Sequence, residues 1–245
     1  MKIINFYDKT PFHYGYSSKE DIVKNMHPIL KRLIINNKEG LFCDIGCGGG
    51  RNIVLSIKYA SKVIGVDLSE VSLNHARELI KSNKLELKHG SNLDIPLQSN
   101  IADLVISDGV CHHTGDTKKA IEECIRLLKP NGEMYLAVYK KYRYYPLVYF
   151  SIGYLLRILY RLTVGKKIIE HLFVKIHYFL YRFFKRTSLT LSETRNIFFD
   201  YFLTPIATFQ SRSQVSKWVG DLNANVIEYD RTSGNCHVFV IKKNE

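Results

Sequence analysis

"LFCDIGCGGGRN", residues 41–52, decides the fold. An apolar run ends at Ile45, then Gly46, Gly48, Gly49 and Gly50 place four glycines in a five-residue window, and a segment of helical length follows from Arg51. Backbone free of Cβ atoms can turn sharply from strand to helix and let a ligand approach the first amides of that helix. Such a turn implies a nucleotide-like cofactor. The dinucleotide fingerprint G-x-G-x-x-G is not met, because Arg51 stands where its third glycine belongs, and the G-K-[ST] ending of a P-loop is missing too.

Outward from this turn the chain alternates. "GLFCDI", "KVIGVDL", "LELKHG", "ADLVISD" and "GEMYLAVY" read as buried strands separated by segments of helical length. Helices are expected over 51–59, over 69–81 with Ser69 as N-cap, and over 116–128, stopped by "KPNG". This alternation predicts an α/β fold with a parallel sheet. Helices around 193–201 and from Ser213 then precede "NVIEYDRTSGNCHVFVIKK", which reads as two alternating strands joined at "SGN", an antiparallel hairpin at the sheet edge. The second strand ends "VIGVDLS", putting Asp67 twenty-one residues after Gly46, at a strand tip where a carboxylate can accept both hydroxyls of a ribose.

Together these residues resemble the class I S-adenosylmethionine-dependent methyltransferases. "DIGCGGG" is similar to that family's D-x-G-x-G-x-G, "VDLS" to its ribose-binding acidic turn, and "ISDGVCHHTGD…IEECIRLLKPNGEMYLAVY" to its fourth strand, next helix and fifth strand. The resemblance implies a Rossmann-like, seven-stranded mixed sheet with helices on both faces, completed by the C-terminal hairpin and carrying a helical insertion after the fifth strand. It implies S-adenosylmethionine as cofactor. It assigns Asp44 to orienting the glycine loop and facing the cofactor's amino group, Gly46, Cys47 and Gly48 to the sulfonium and methionine portion, and Ser107 to the methionine part as well. It further assigns Asp67 to the ribose, with Leu68 against the adenine. Where the family often has an aspartate five residues before the proline of "HGSNLDIPL", this chain has Ser91, so Ser91, Asn92 and Leu93 are expected along the adenine edge without an ionic contact.

Methyl transfer from a sulfonium chiefly requires a nucleophile held in line, about 3 to 3.5 Å from the methyl carbon. A hydroxyl or protonated amine acceptor must also lose a proton, and His112 and His113 in "CHHTGD" are the candidate bases. Tyr14 and Tyr16 in "FHYGY" are candidates to fold over the cofactor. The nine histidines show no H-x-x-x-H or H-E-x-x-H spacing, so no metal centre is expected. The five cysteines form no C-x-x-C pair and are expected to be reduced and structural.

At 245 residues, 46% hydrophobic and 24% charged, the chain has the profile of one large globular domain or two small ones. Its start lacks an apolar h-region, so a cytoplasmic location is expected. The net charge of +12 is uneven: residues 140–187 hold eleven Lys or Arg against Glu170 alone, with thirteen of the thirty aromatics. Residues 1–140 and 188–245 therefore read as the methyltransferase domain and 141–187 as a basic, aromatic helical insertion. Within it, His171, Lys175, Tyr178, Arg182 and Lys185 form one helical stripe, with Leu172, Phe173, Ile176, Phe179, Leu180 and Phe183 around the other side. Two such helices either close over the site as a lid, burying their apolar sides on one another, or lie on an anionic membrane, peripheral to its inner face. The expected substrate is a small or lipid-like metabolite methylated at O, N or C. RNA is the weaker alternative, because no recognisable RNA-binding module carries the cations. A cofactor-binding protein without activity is the third.

Overall fold

A computed structural model describes residues 6–8, 18–185, 190–232 and 234–245; Tyr14, Tyr16, Arg186 and Thr187 lie outside the described residues. The chain divides into two compact units, one of residues 16–142 and 206–245 and one that contains residues 143–205.

The first unit is the expected α/β sheet. Strands β1 (Leu41–Ile45), β2 (Lys62–Asp67), β3 (Leu85–His89), β4 (Ala102–Asp108), β5 (Leu128–Tyr139), β6 (Ala224–Arg231) and β7 (Cys236–Lys243) lie in the order β3-β2-β1-β4-β5-β7-β6. The first five are parallel; β7 runs antiparallel between β5 and the edge strand β6. Helices α1 (Lys19–Asn25), α2 (Pro28–Asn36), α3 (Ile53–Tyr59), α4 (Glu70–Leu79) and α5 (Thr117–Leu127) fall in the parallel half. The period-two alternation of strand side chains sorts the core onto two faces. Cys43, Ile45, Ile64, Val66 and Val105 pack with Ile121 and Cys124 of α5, while Phe42, Val63, Leu104 and Ile106 pack with Leu30 and Ile34 of α2 and Ile53 of α3. Because both faces are covered, the strands are continuous apolar runs, the pattern of a buried parallel sheet.

Caps fix the helix starts close to where the sequence puts them. Ser69 accepts from the Ser72 N–H ahead of α4, and Asp116 from the Lys119 N–H ahead of α5. Two boundaries differ. The first helix after the glycines starts at Ile53 rather than Arg51, because Gly50 is still at φ +88° and the chain has not yet entered the helical region. Strand β5 starts at Leu128, which pairs with Ala102 before a register shift, so "KPNG" is a distortion in the strand rather than a loop before it.

Among its described residues the second unit contains helices and no strand, and it runs to Pro205, beyond the end expected from charge at residue 187. It comprises α6 (Tyr144–Phe150), α7 (Ile152–Leu159), α8 (Thr163–Ile168), α9 (Val174–Lys185) and α10 (Leu191–Phe198), with π-helical turns at Ile169–Phe173 and Phe199–Leu203. Leu156, Ile169, Val174, Phe198, Phe199 and Leu203 form its core, into which Phe6 also packs. Tyr145 and Tyr149 donate to the Tyr201 and Thr204 carbonyls, and Arg195 makes a two-pronged ion pair with Glu170 at 2.6 and 2.7 Å.

The expected burial of apolar helix sides on one another is not what forms. In α9 the inner positions are Val174, His177 and Tyr181, with the His177 ring against Phe198 and Phe202, and Leu172, Ile176, Phe179, Leu180 and Phe183 are exposed. The wide turn at Ile169–Phe173 also takes His171 out of the α-helical stripe. Among the described residues, no single helix is long and apolar enough to cross a membrane.

Candidate functional site

In an open α/β sheet, ligands bind at the carboxyl ends of the strands where the order reverses, here between β1 and β4. The glycine loop emerges at that point. Gly46 has φ +74°, and a Cβ there would lie 2.3 Å from Val110, so both its conformation and its surroundings require glycine. The Gly46 and Cys47 N–H groups donate to the Val66 carbonyl at 2.7 and 3.0 Å, tying the loop to β2. The Cys47 side chain is buried in the core between sheet and helices, so at this loop it offers only backbone.

Asp44, on β1 just before the loop, is 1% exposed, and neither carboxylate oxygen has a hydrogen-bond partner. Burial, and then the Asp108 carboxylate, push its carboxyl up to about 7, against the smaller opposing pull of Asn52 and Arg51. A buried carboxylate without a hydrogen-bond partner is suited to pairing with a cation. Arg51 and Asp108 form an ion pair nearby, a feature the sequence reading missed. Part of the signal lies in the sequence, where Arg51 breaks the dinucleotide fingerprint.

Asp67, at the tip of β2, accepts from the Gly48 N–H at 2.8 Å through one oxygen and from the Ser69 N–H at 2.9 Å through the other. It therefore braces the glycine loop while each oxygen keeps a further lone pair for a ligand hydroxyl. Burial raises its carboxyl above the usual range, opposed by the Ser69, Gly48 and Leu68 N–H groups. Leu68 is half-buried beside it, its carbonyl accepting from His89 Nε2 at 2.9 Å. Ser91 accepts from the Leu93 N–H at 3.1 Å, so this hydroxyl shapes its own turn, with Asn92 buried and Leu93 half-buried next to it. Ser107 is fully buried and its hydroxyl lies 3.2 Å from the Cys111 sulfur, turning it into the core and leaving backbone as its means of contact.

The two histidines, in a single turn of 3₁₀ helix at Cys111–His113, have opposite protonation patterns. The Tyr139 N–H donates to His112 Nδ1 at 3.3 Å, so in neutral His112 the proton sits on Nε2, an atom buried without a partner. Burial, helped by His113, drives the His112 pKa well below its ordinary value, so the ring stays neutral. His112 is thus a hydrogen-bond donor, and the expectation that it serves as a base is corrected. His113 Nδ1 donates to the Ile206 carbonyl at 2.8 Å, which puts the lone pair of the neutral ring on Nε2. Both rings are held in place: the His112 carbonyl accepts from Thr208, and Tyr139 lies 3.6 Å from the His112 ring.

The residues present fit S-adenosylmethionine. Asp44 is an unpartnered buried carboxylate suited to its ammonium, the glycine loop is a cradle that a Cβ at Gly46 would fill, and Asp67 has acceptor capacity for a ribose.

Comparison with known proteins agrees. Residues 43–136 match the methyltransferase domain family. The chain is 32% identical over 89 residues to a protein of Mycolicibacterium smegmatis named for S-adenosylmethionine-dependent methyl transfer, covering 36% of this chain and 34% of that protein. It is 28% identical over 124 residues to a ubiquinone biosynthesis O-methyltransferase of Pelagibacter ubique, covering 50% of this chain and 51% of the relative. The chain thus spans about a third and about half of the lengths of these relatives. Among solved structures, magnesium protoporphyrin IX methyltransferase from Synechocystis with bound SAM superimposes with a TM-score of 0.60 at 15% identity, covering 99% of this chain and 95% of that one. Strand order, glycine loop and family match converge: residues 43–136 form a methyltransferase domain, set in a sheet with the strand order of the class I S-adenosylmethionine-dependent methyltransferase fold.

Proposed function

We infer that the protein transfers a methyl group from S-adenosylmethionine to an O, N or C atom of a small or lipid-like metabolite. One observation carries the reading: a fully buried, unpartnered carboxylate, Asp44, at the head of a glycine cradle whose conformation no other residue can adopt without strain. The donor, when bound, supplies a methyl group on a positively charged sulfur with a good leaving group. The chain's own residues bind and orient. Asp44 holds the ammonium; the backbone of Gly46, Cys47, Gly48 and Ser107 lines the methionine and sulfonium portion; Asp67 accepts the ribose hydroxyls; Leu68, Ser91, Asn92 and Leu93 border the adenine. His113 Nε2 takes the proton that a hydroxyl or ammonium acceptor must lose, and His112 Nε2–H donates a hydrogen bond that fixes an oxygen of the acceptor. Positioning supplies most of the acceleration.

Incubation of the purified chain with methyl-labelled donor and fractionated cell extract tests the reading. Label in small-molecule or organic-soluble material is expected. Label in RNA would overturn the substrate class, and no transfer together with no calorimetric heat for donor or demethylated product would overturn the activity. Asp67→Asn should weaken donor binding by about tenfold to a hundredfold, since a hydrogen bond to a charged acceptor contributes about 1.5 to 3 kcal/mol.

A further inference from the structure

The helical unit exposes apolar side chains on a scale the α/β unit does not. Of the 21 exposed large hydrophobic residues among those described, 17 lie between Tyr144 and Leu191. They are ordered by helix geometry. Each residue advances about 100° around a helix. On α9 this sets Ile176, Phe179, Leu180 and Phe183 opposite the inward Val174, His177 and Tyr181, with exposed Lys175 and Arg182 along one flank of the apolar strip. The same arrangement recurs on α6, where Leu147 and Phe150 oppose buried Tyr145, and on α7, where Leu155 and Ile158 oppose buried Gly153.

Charge identifies the occupant. Residues 143–205 contain ten Lys or Arg and three acids. Two of those acids are already committed, Glu170 to Arg195 and Glu193 to the Thr190 N–H, and Asp200 is buried. Exposed Arg161, Lys166, Lys167, Lys175 and Arg182 are therefore left as a cationic border to outward aromatic and aliphatic faces. We propose that these faces seat the helical unit on the surface of an anionic lipid bilayer, with the apolar side chains at the headgroup boundary and the cations among the phosphates. The helices lie on the bilayer and do not span it. Helix α8, the π-helical turn and α9 run on as one helix over residues 163–185, but it carries Lys166, Lys167, Glu170, Lys175, Arg182 and Lys185, and among the described residues no single helix is both long and apolar enough to cross a membrane. The proposal rests on the surface of this unit and not on the donor site.

Flotation of the full chain with vesicles tests it. Vesicles of phosphatidylglycerol and phosphatidylcholine should carry the protein up, and phosphatidylcholine alone should carry about tenfold less or fainter still. K166E/K167E/K175E/R182E should abolish most of the anionic binding, and I176S/F179S/F183S should leave only a salt-sensitive remnant. Both variants alter exposed positions, and unchanged circular dichroism together with unchanged calorimetric heat for the donor would show that they fold. Equal flotation with neutral vesicles, no flotation, or flotation that both variants leave intact would overturn the proposal. So would a dimer in light scattering that F179S/F183S dissolves, since the face would then belong to a second copy of the chain. Loss of donor heat in the unaltered protein would instead strike the activity and leave the surface untouched.

Discussion

Helices α5 and α9 are of similar length and both amphipathic, yet they place their apolar sides in opposite directions. In α5, Ala120, Ile121, Cys124, Ile125 and Leu127 are buried beneath the sheet while Lys118, Lys119 and Glu122 stand on the outer side. In α9, buried Val174 faces a small aromatic core, and Ile176, Phe179, Leu180 and Phe183 stand outside. The difference teaches that an apolar stripe tells which face seeks cover, and the surrounding chain decides whether that cover is internal. In the α/β unit a sheet wide enough to cover its helices exists; in the helical unit, elements of 6 to 12 residues cover only their inner turns. The first unit should therefore break when its interior geometry is altered, and the second should tolerate changes to its outer apolar positions.

The largest effect is expected at Gly46. Gly46→Ala forces a Cβ into a left-handed conformation and against Val110, where contact would be 2.3 Å. Strain and overpacking together should cost about 4 kcal/mol. Urea unfolding should show the loss, and calorimetry should show donor binding abolished, because the loop must move to admit the methyl group. A variant of wild-type stability that still binds the donor would break the idea that this loop is fixed by sterics.

Asp44→Asn should have a smaller effect, with opposite signs for stability and binding. The folded-state pKa of Asp44 is raised from 3.8 to about 7, so the group's stabilising contribution is fully present below the unfolded value and is lost as pH rises through the folded one. The ligand-free protein should therefore lose stability between about pH 4 and 7, and the asparagine variant should lack that slope and be more stable by about 1 to 2 kcal/mol near pH 8. Donor binding should weaken at the same time. In the unaltered protein, binding near pH 6 should release a proton, because an ammonium beside Asp44 favours its ionised form. Calorimetric heats in buffers of different ionisation enthalpy would show this, and buffer-independent heats would sever Asp44 from the ammonium.

Much of the first unit was legible in the sequence because its signals are local and consistent. "LFCDIGCGGGRN" combines a buried strand, residues that tolerate positive φ and a helix start, and each of these follows from residue type. The serine cap at Ser69 was equally readable, and the helix expected from residue 116 is capped in the structure by Asp116. What escaped depends on partners far away in the chain. The tautomers of His112 and His113 are set by Tyr139 and Ile206, and Ser107's hydroxyl is taken by Cys111; no spacing encodes these contacts. The Arg51–Asp108 pair joins positions fifty-seven residues apart. In the helical unit, charge marked the region but not its end: α10 is less basic than α9, yet its Phe198 supplies the ring on which His177 packs.

The smallest predicted effect bears most directly on the contrast between the two helices. Phe183 is 77% exposed on the outer side of α9, so Phe183→Ala removes little packing, and alanine's higher helix propensity adds a few tenths of a kcal/mol. Stability should stay within about 0.5 kcal/mol of the unaltered protein, as expected for a surface change, and solubility should rise. The same truncation at a buried phenylalanine costs about 3 to 5 kcal/mol. Urea midpoints at low and high protein concentration separate the possibilities. A loss near the buried figure at every concentration would mean that the chain itself covers this face, and α9 would then be an ordinary core helix like α5. A loss only at high concentration would mean that copies cover one another, and no loss leaves the face free to meet a surface that is not protein.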